Sequence, residues 1–350
     1  MSRALALEDV RDAEERISRL VNATPVRSDC TSHVAPELAR DGVVVHLKCE
    51  MFQRGGSFKL RGASNAIEMC AMRDRKIVTC HSSGNHASAV AMAARARGMR
   101  AIIVVPRDIA KSKLEATLEC GAEVRFSSAS TVPAREAAVR EVMEEFPEAA
   151  FIHPYNDVDV MAGQGTIGLE FLRQVPELDV VVVPISGGGM IGGIATAVKG
   201  INPNIEIWAA EPCGVDGQGA DAAMSRKCGA RVDSQPPPKT ICDGLRAKMG
   251  DKTWDTFDRL VDKVVEVTDQ DVLIAMRCVY EKCKLVVEPS GAAAVAAIMV
   301  QSKTSDGLTS VKTGARFRNI GVILCGGNLD LEPLFRKIQA DIDALSEVVS

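Results

Sequence analysis

"DVVVVPISGGGMIGGIATAVKG", residues 179–200, decides the fold. Four consecutive valines ending at Pro184 read as a strand buried on both faces. From Val180 to Val198 there is no charged residue, nearly the length of a membrane span. Pro184 and five glycines break that stretch into a strand, a loop and a helix start, so the membrane reading fails. A strand running through a glycine loop into a helix is half of a βαβ unit. The loop presents unobstructed backbone N–H groups at a helix N-terminus, which suits an anion.

The same alternation extends in both directions. "VVVHLK" (43–48) precedes the helical "KLRGASNAIEMCAM", and "KIVTC" (76–80) leads through "HSSGNH" into "ASAVAMAARARG". "AIIVVP" precedes "AKSKLEATLECG", where Gly121 ends the helix, and "AEVRFS" precedes "PAREAAVREVMEEF". "IEIWAAEP", two helices (271–283 and 291–301) and the last strand "NIGVILCGG" complete the pattern. Val10, Ala13, Ile17 and Val21 share one face of an amphipathic first helix. The segment 225–239, with three prolines, reads as loop. The expected fold is therefore α/β with two lobes, each an open, mostly parallel sheet with helices on both faces. Residues 1–70 and 155–350 would form the large domain and 71–154 the small one.

Composition narrows the function. The 350 residues carry a net charge of −4 and only 4% aromatic residues, which excludes the electrostatic and stacking footprint of a nucleic-acid binder. Eleven cysteines contain no Cys-x-x-Cys pair, against both a disulfide framework and a zinc site. Reduced thiols in the cytoplasm are expected, and the charged N-terminus has no signal-peptide block.

Three loops and one lysine carry the chemistry. Lys59, in "RGGSFKLRGA" (54–63), stands between Phe58 and Leu60 with no carboxylate within four residues. It either points to solvent or is a desolvated amine able to act as a nucleophile. "HSSGNH" (81–86) suits a carboxylate or phosphate, or is a capped turn. "SGGGMIGG" (186–193) matches G-x-G-x-x-G through Gly187, Gly189 and Gly192. With Glu206 or Glu211 as a ribose-binding acid, it would serve an NAD-dependent dehydrogenase. Cys325, in "CGGN" (325–328), is a core thiol or a weak donor to a heterocycle nitrogen. Taken together, an amine, a phosphate loop, a carboxylate loop and a polar cap describe pyridoxal phosphate chemistry.

The motifs "SFKLRGA", "SSGNHASAVA", "AGQGTIGLE", "SGGGMIGG", "VVEPSGA" and "CGGN" occur in the order of fold-type II pyridoxal phosphate enzymes. The chain resembles the serine racemase and serine/threonine dehydratase family. The resemblance implies that Lys59 forms the Schiff base with pyridoxal 5'-phosphate while Phe58 packs on the ring. It also implies that Asn85 meets the ring hydroxyl, that Ser186, Gly187, Gly188 and Gly189 hold the phosphate, and that Cys325 faces the pyridine nitrogen. Ser82, Asn85 and His86 would receive the substrate carboxylate, Ser83 would lie opposite Lys59, and Arg135 would reach the substrate or lie on a helix surface. The small domain would close over the substrate, an amino acid, in a homodimer. The family's Mg or Ca loop is matched at "EPCGVDGQGADAA" by Glu211 and Val215, with Gly217 at the last carboxylate position and Asp216 or Asp221 as substitutes. At the family's ATP site Arg54 keeps the charge but Gly55 replaces threonine. The implied activity is serine racemisation with β-elimination from L-serine or L-threonine. The alternatives are a β-hydroxyaspartate dehydratase, a catalytically silent carrier, or the dehydrogenase above.

Overall fold

Apolar runs without a polar face build the central strands of two sheets, which are buried on both sides. The computed structural model describes residues 4–109, 111–214, 220–232 and 238–330. The larger sheet runs, in spatial order, Val26–Arg27, Val44–Cys49, Asn319–Leu324, Val180–Pro184, Glu206–Pro212 and Lys263–Val267. All its pairings are parallel except the edge strand Val26–Arg27. The smaller sheet is wholly parallel, in the order Glu123–Phe126, Arg100–Val105, Ile77–His81 and Ala150–Phe151.

The valine run of 180–183 shows why such strands read as continuous hydrophobe. Val180 and Val182 enter one core with the helix Pro289–Gln301, while Val181 and Val183 enter another with the helix Gly189–Ile201. Ile103 and Ile102 divide the smaller sheet in the same way. The helix Lys59–Met72 adds Leu60, Ala63 and Ile67 to the core that holds Val78, Ala87 and Ile103.

Three helices meet backbone to backbone. A Cβ on Gly163, in the helix Val158–Gln174, would lie 2.5 Å from the Arg61 carbonyl oxygen. One on Gly193, in Gly189–Ile201, would lie 2.2 Å from that of Met161. Glycine is thus required at both crossings, and one helix fixes the two that begin at Lys59 and Gly189. The amphipathic helix Leu7–Ile17 buries Val10, Ala13 and Ile17, as its spacing predicts. The segment expected as loop from 225 instead begins inside the helix Asp221–Cys228, which stops at Gly229 with φ +64°.

Candidate active site

A short ladder places the lysine. Phe58 donates its N–H to the Cys325 carbonyl (3.0 Å), and Gly327 donates to the Gly56 carbonyl (3.0 Å). The turn before Lys59 is thereby clipped to the end of the last strand, at the carboxyl edge of the large sheet, where open α/β sheets bind ligands. A cleft of about 2310 Å³ lies there. Lys59 Nζ donates to the Pro154 carbonyl (2.9 Å) and lies 5.1 Å from the centre of the Phe58 ring. Burial lowers the Lys59 ammonium to about 8, against the opposing fields of Cys325 and Glu288. The amine is therefore desolvated and nucleophilic near neutral pH.

Facing it is the glycine loop. Gly188 has φ +87°, a conformation that favours glycine, and caps the helix Gly189–Ile201. Thr253 Oγ1 donates to the Gly187 carbonyl (2.7 Å), and Ser186 Oγ exchanges hydrogen bonds with the Ala247 backbone. A Cβ on Gly187 would meet the Tyr155 ring at 2.3 Å. The loop keeps its amides at the helix N-terminus, where they fit a phosphate.

Beyond these lies the turn 82–86. Ser82 Oγ accepts from the Gly84 N–H (3.2 Å), and the helix Asn85–Arg97 starts here. Asn85 Nδ2 donates to Glu288 Oε1 (2.8 Å), and Asn85 Oδ1 accepts from Asn328 Nδ2 (2.8 Å). His86 turns its ring inward: it is buried, bonded through Nε2 to the Ile152 carbonyl (3.0 Å), and held neutral chiefly by burial. Only its backbone N–H, in the first turn of the helix, is left to meet a carboxylate. Cys325 is buried and its Sγ donates to the Ser290 carbonyl (3.4 Å).

Phe58, Lys59, Ser82, Ser83, Asn85, His86, Arg135, Ser186, Gly187, Gly188, Gly189 and Cys325 all line this one cleft. Arg135 is half-buried there and its Nε has no hydrogen-bond partner among the described residues. Sequence reasoning assigned no part to Glu288, Tyr155, His153 or Asn328, which line the cleft as well. Glu288 had a signal, an acid inside "VVEPSGA"; Tyr155 and His153 had none.

The other expectations fall elsewhere. Val215, Asp216 and Gly217 lie outside the described residues. Glu211 is buried and accepts from the Ala222 and Ala223 N–H groups, each at 2.8 Å, and burial raises its carboxyl to about 8. Asp221 Oδ2 accepts from Met249 N (3.0 Å). Among the described residues no group of three His, Cys, Asp or Glu side chains is placed to hold a metal. Gly55 has φ +74°, which a threonine would adopt only with strain, and Arg54 Nε donates to Asn22 Oδ1 (3.2 Å). Neither acid offered for a dehydrogenase is free for a ribose. Glu206 binds Trp208 Nε1 (2.8 Å), and Glu211 caps a helix.

The family model described as "Pyridoxal-phosphate dependent enzyme" matches residues 17–326. The chain belongs to the pyridoxal-phosphate-dependent enzymes. Its relatives include serine racemase of Oryza sativa subsp. indica, 42% identical over 96% of this chain and 94% of the relative. Human serine racemase is 38% identical over 93% and 92%. Among solved structures, maize serine racemase superposes with a TM-score of 0.86 at 41% identity, covering 98% of this chain and 100% of that one. A threonine deaminase from T.th. gives 0.80 at 34%, covering 93% and 99%. The fold is therefore the fold-type II architecture expected from the motifs, and the dehydrogenase reading is overturned. The cleft fits the family's cofactor on its own terms: a desolvated amine, a side-chain-free helix N-terminus and a buried thiol converge on it.

Proposed function

We propose that this enzyme racemises serine and eliminates water from L-serine and L-threonine, giving a 2-oxo acid and ammonia. The observation that carries the reading is the Lys59 amine, desolvated and bonded to the Pro154 carbonyl, in one cleft with the glycine-capped helix and the serine turn. Lys59 would hold pyridoxal phosphate, with Ser186 and Gly187–Gly189 around its phosphate, Phe58 beside its ring and Cys325 at its ring nitrogen. Bound there, the cofactor supplies an electron sink for charge developing at the substrate Cα.

The residues do the rest. The N–H groups of the 82–86 turn orient the substrate carboxylate. Lys59 Nζ takes the Cα proton from one face and Ser83 Oγ returns one to the other. The small domain, 71–154, would close over the substrate. Serine and threonine turnover also draws support from the relatives named serine racemase and threonine deaminase. We extend the proposal to a Mg or Ca ion near Glu211 and Asp221, with Val215 and Asp216 contributing, because adjacent buried acids and hard oxygens suit such a cation. A homodimer in the cytoplasm completes the reading; the eleven free cysteines agree with a reducing compartment.

Arg135 supports a second reading. Its guanidinium lines the cleft and would be placed to receive a second carboxylate, as a β-hydroxyaspartate dehydratase would need. Turnover of L-serine, D-serine, L-threonine and β-hydroxyaspartate by the purified protein tests both. D-serine and pyruvate from L-serine support the first; turnover of hydroxyaspartate alone, lost in Arg135→Ala, establishes the second.

A further inference from the structure

Three thiols meet where the helix Asp269–Glu281 ends. Cys278 lies in its last turn, and Cys283, just beyond, donates its backbone N–H to the Cys278 carbonyl (3.3 Å). Cys30, at the start of the short helix Thr31–Val34, packs into the same core. The Cys283 thiol is hydrogen-bonded to both of the others. Cys30 and Cys283 are each 1% exposed, whereas Cys278 is half-buried and opens the group to solvent. Cys278 Sγ also donates to the His33 carbonyl (3.2 Å), which ties the helix to the segment carrying Cys30. Among the described residues no three such side chains converge as metal ligands, so the chemistry open to this group is between its sulfurs.

We propose that Cys278 and Cys283 form an oxidation site for hydroperoxides, Cys278 attacking and Cys283 resolving, whose disulfide slows the enzyme. The Cys278 sulfur attacks the peroxide: an S–O bond forms, the O–O bond breaks, and water or an alcohol leaves, so that Cys278 becomes a sulfenic acid. The Cys283 sulfur then displaces that hydroxyl, which departs as water with the Cys283 proton, and the S–S bond closes. The two thiols lose two electrons and the peroxide gains them. Exposure assigns the roles, and so does acidity, because the thiolate is the nucleophile. The hydrogen bond from Cys283, helped by Lys282, holds the Cys278 thiol below its ordinary value against burial. Burial raises the Cys30 thiol, and Cys278 and burial together raise that of Cys283.

The chain that leaves Cys283 runs straight to the cleft. Lys284 follows it at φ +58°, a conformation that strains a lysine. Leu285 donates its N–H to the Val279 carbonyl (3.1 Å), and the Val287 carbonyl accepts from Tyr280 Oη (2.8 Å). Glu288 donates its N–H to the Gly326 carbonyl (3.1 Å), and its carboxyl accepts from Asn85 Nδ2 on the cleft wall (2.8 Å). Closing a sulfur–sulfur bond of about 2.05 Å draws the two sulfurs together. Cys278 is fixed in its helix, so the displacement falls on Cys283 and passes along 284–288 to the residues that line the cleft.

The test treats the holoenzyme with stoichiometric hydrogen peroxide, blocks the remaining thiols and maps the peptides by mass spectrometry. Two of the eleven thiols should be lost, as a Cys278–Cys283 disulfide that dithiothreitol reverses. In Cys283→Ser, dimedone should instead trap a sulfenic acid on Cys278. Turnover of L-serine should fall several-fold on oxidation, recover with dithiothreitol, and resist peroxide in Cys278→Ser. Oxidation mapped first to other cysteines, or an unmodified Cys278, overturns the site. A disulfide that forms without loss of turnover, or a loss that persists in Cys278→Ser, overturns the switch. If Cys283→Ser fails to fold, the wild-type map decides the site by itself. Reduced protein that turns over neither L-serine nor L-threonine would overturn the proposed reaction, while the peptide map still decides the thiol pair.

Discussion

Ser83 separates racemase from dehydratase. Racemisation needs a proton donor on each face of Cα, and in the proposed mechanism Lys59 serves one face and Ser83 the other. Ser83→Ala should cut L-to-D conversion by ~10²–10⁴, as loss of a positioned acid or base does. Elimination from L-serine should fall much less, while elimination from D-serine should fall with racemisation. Assays of both activities on both enantiomers check this, and a uniform loss would remove Ser83 from proton transfer; Gly84, not Ser83, stands at the N-cap of the helix Asn85–Arg97. At this scale the sequence was informative where a residue type was out of place: an unpaired lysine between Phe58 and Leu60 announced itself. His86 shows the limit. Its motif position suggested a substrate ligand, but ring direction depends on Ile152, sixty-six residues away, which spacing does not reveal.

The elements explain how Lys59 and the glycine loop come to face each other. Both begin helices that cross Val158–Gln174 at glycine contacts, and the first is also pinned by charge. Arg61, buried one turn into the helix, donates to Glu50 Oε2 and Oε1 (both 2.8 Å) and to Glu170 Oε2 (3.1 Å). Lys48 joins Glu170 in the same buried network. Arg61→Ala strips a partner from two buried carboxylates and should destabilise the fold by about 3–5 kcal/mol, measured by urea denaturation. A loss below about 1 kcal/mol would show that the network does not hold the helix. Long periodic elements were readable in advance: Lys59–Met72 and Gly189–Ile201 start where their glycine loops end. Less readable were the edge strand Val26–Arg27, two residues long, and the helix Asp251–Leu260, whose charged face masks a stripe ending in Phe257. Short or mostly solvated elements owe their form to tertiary contacts that no local pattern carries.

Across the whole molecule, two sheets and a cleft at their strand ends follow from the βαβ pattern, which is why the fold was legible early. The proposed metal region was not, because the sequence has Gly217 where the resemblance puts an acid, and Val215, Asp216 and Gly217 lie outside the described residues. If Mg or Ca binds at Glu211 and Asp221, a chelator should lower the thermal midpoint and Glu211→Ala should remove that response, since a ligand bound only to the folded state stabilises it. No change with chelator would mean that Glu211 serves only to cap the helix Asp221–Cys228. In the proposed function one lysine, Lys59, carries the cofactor. Borohydride reduction of the pyridoxal phosphate-loaded enzyme, followed by peptide mass spectrometry, tests it most directly. The phosphopyridoxyl group should appear on Lys59, with no labelled peptide and no visible band in Lys59→Ala. A label on another lysine, or an unlabelled Lys59 in active enzyme, would contradict it.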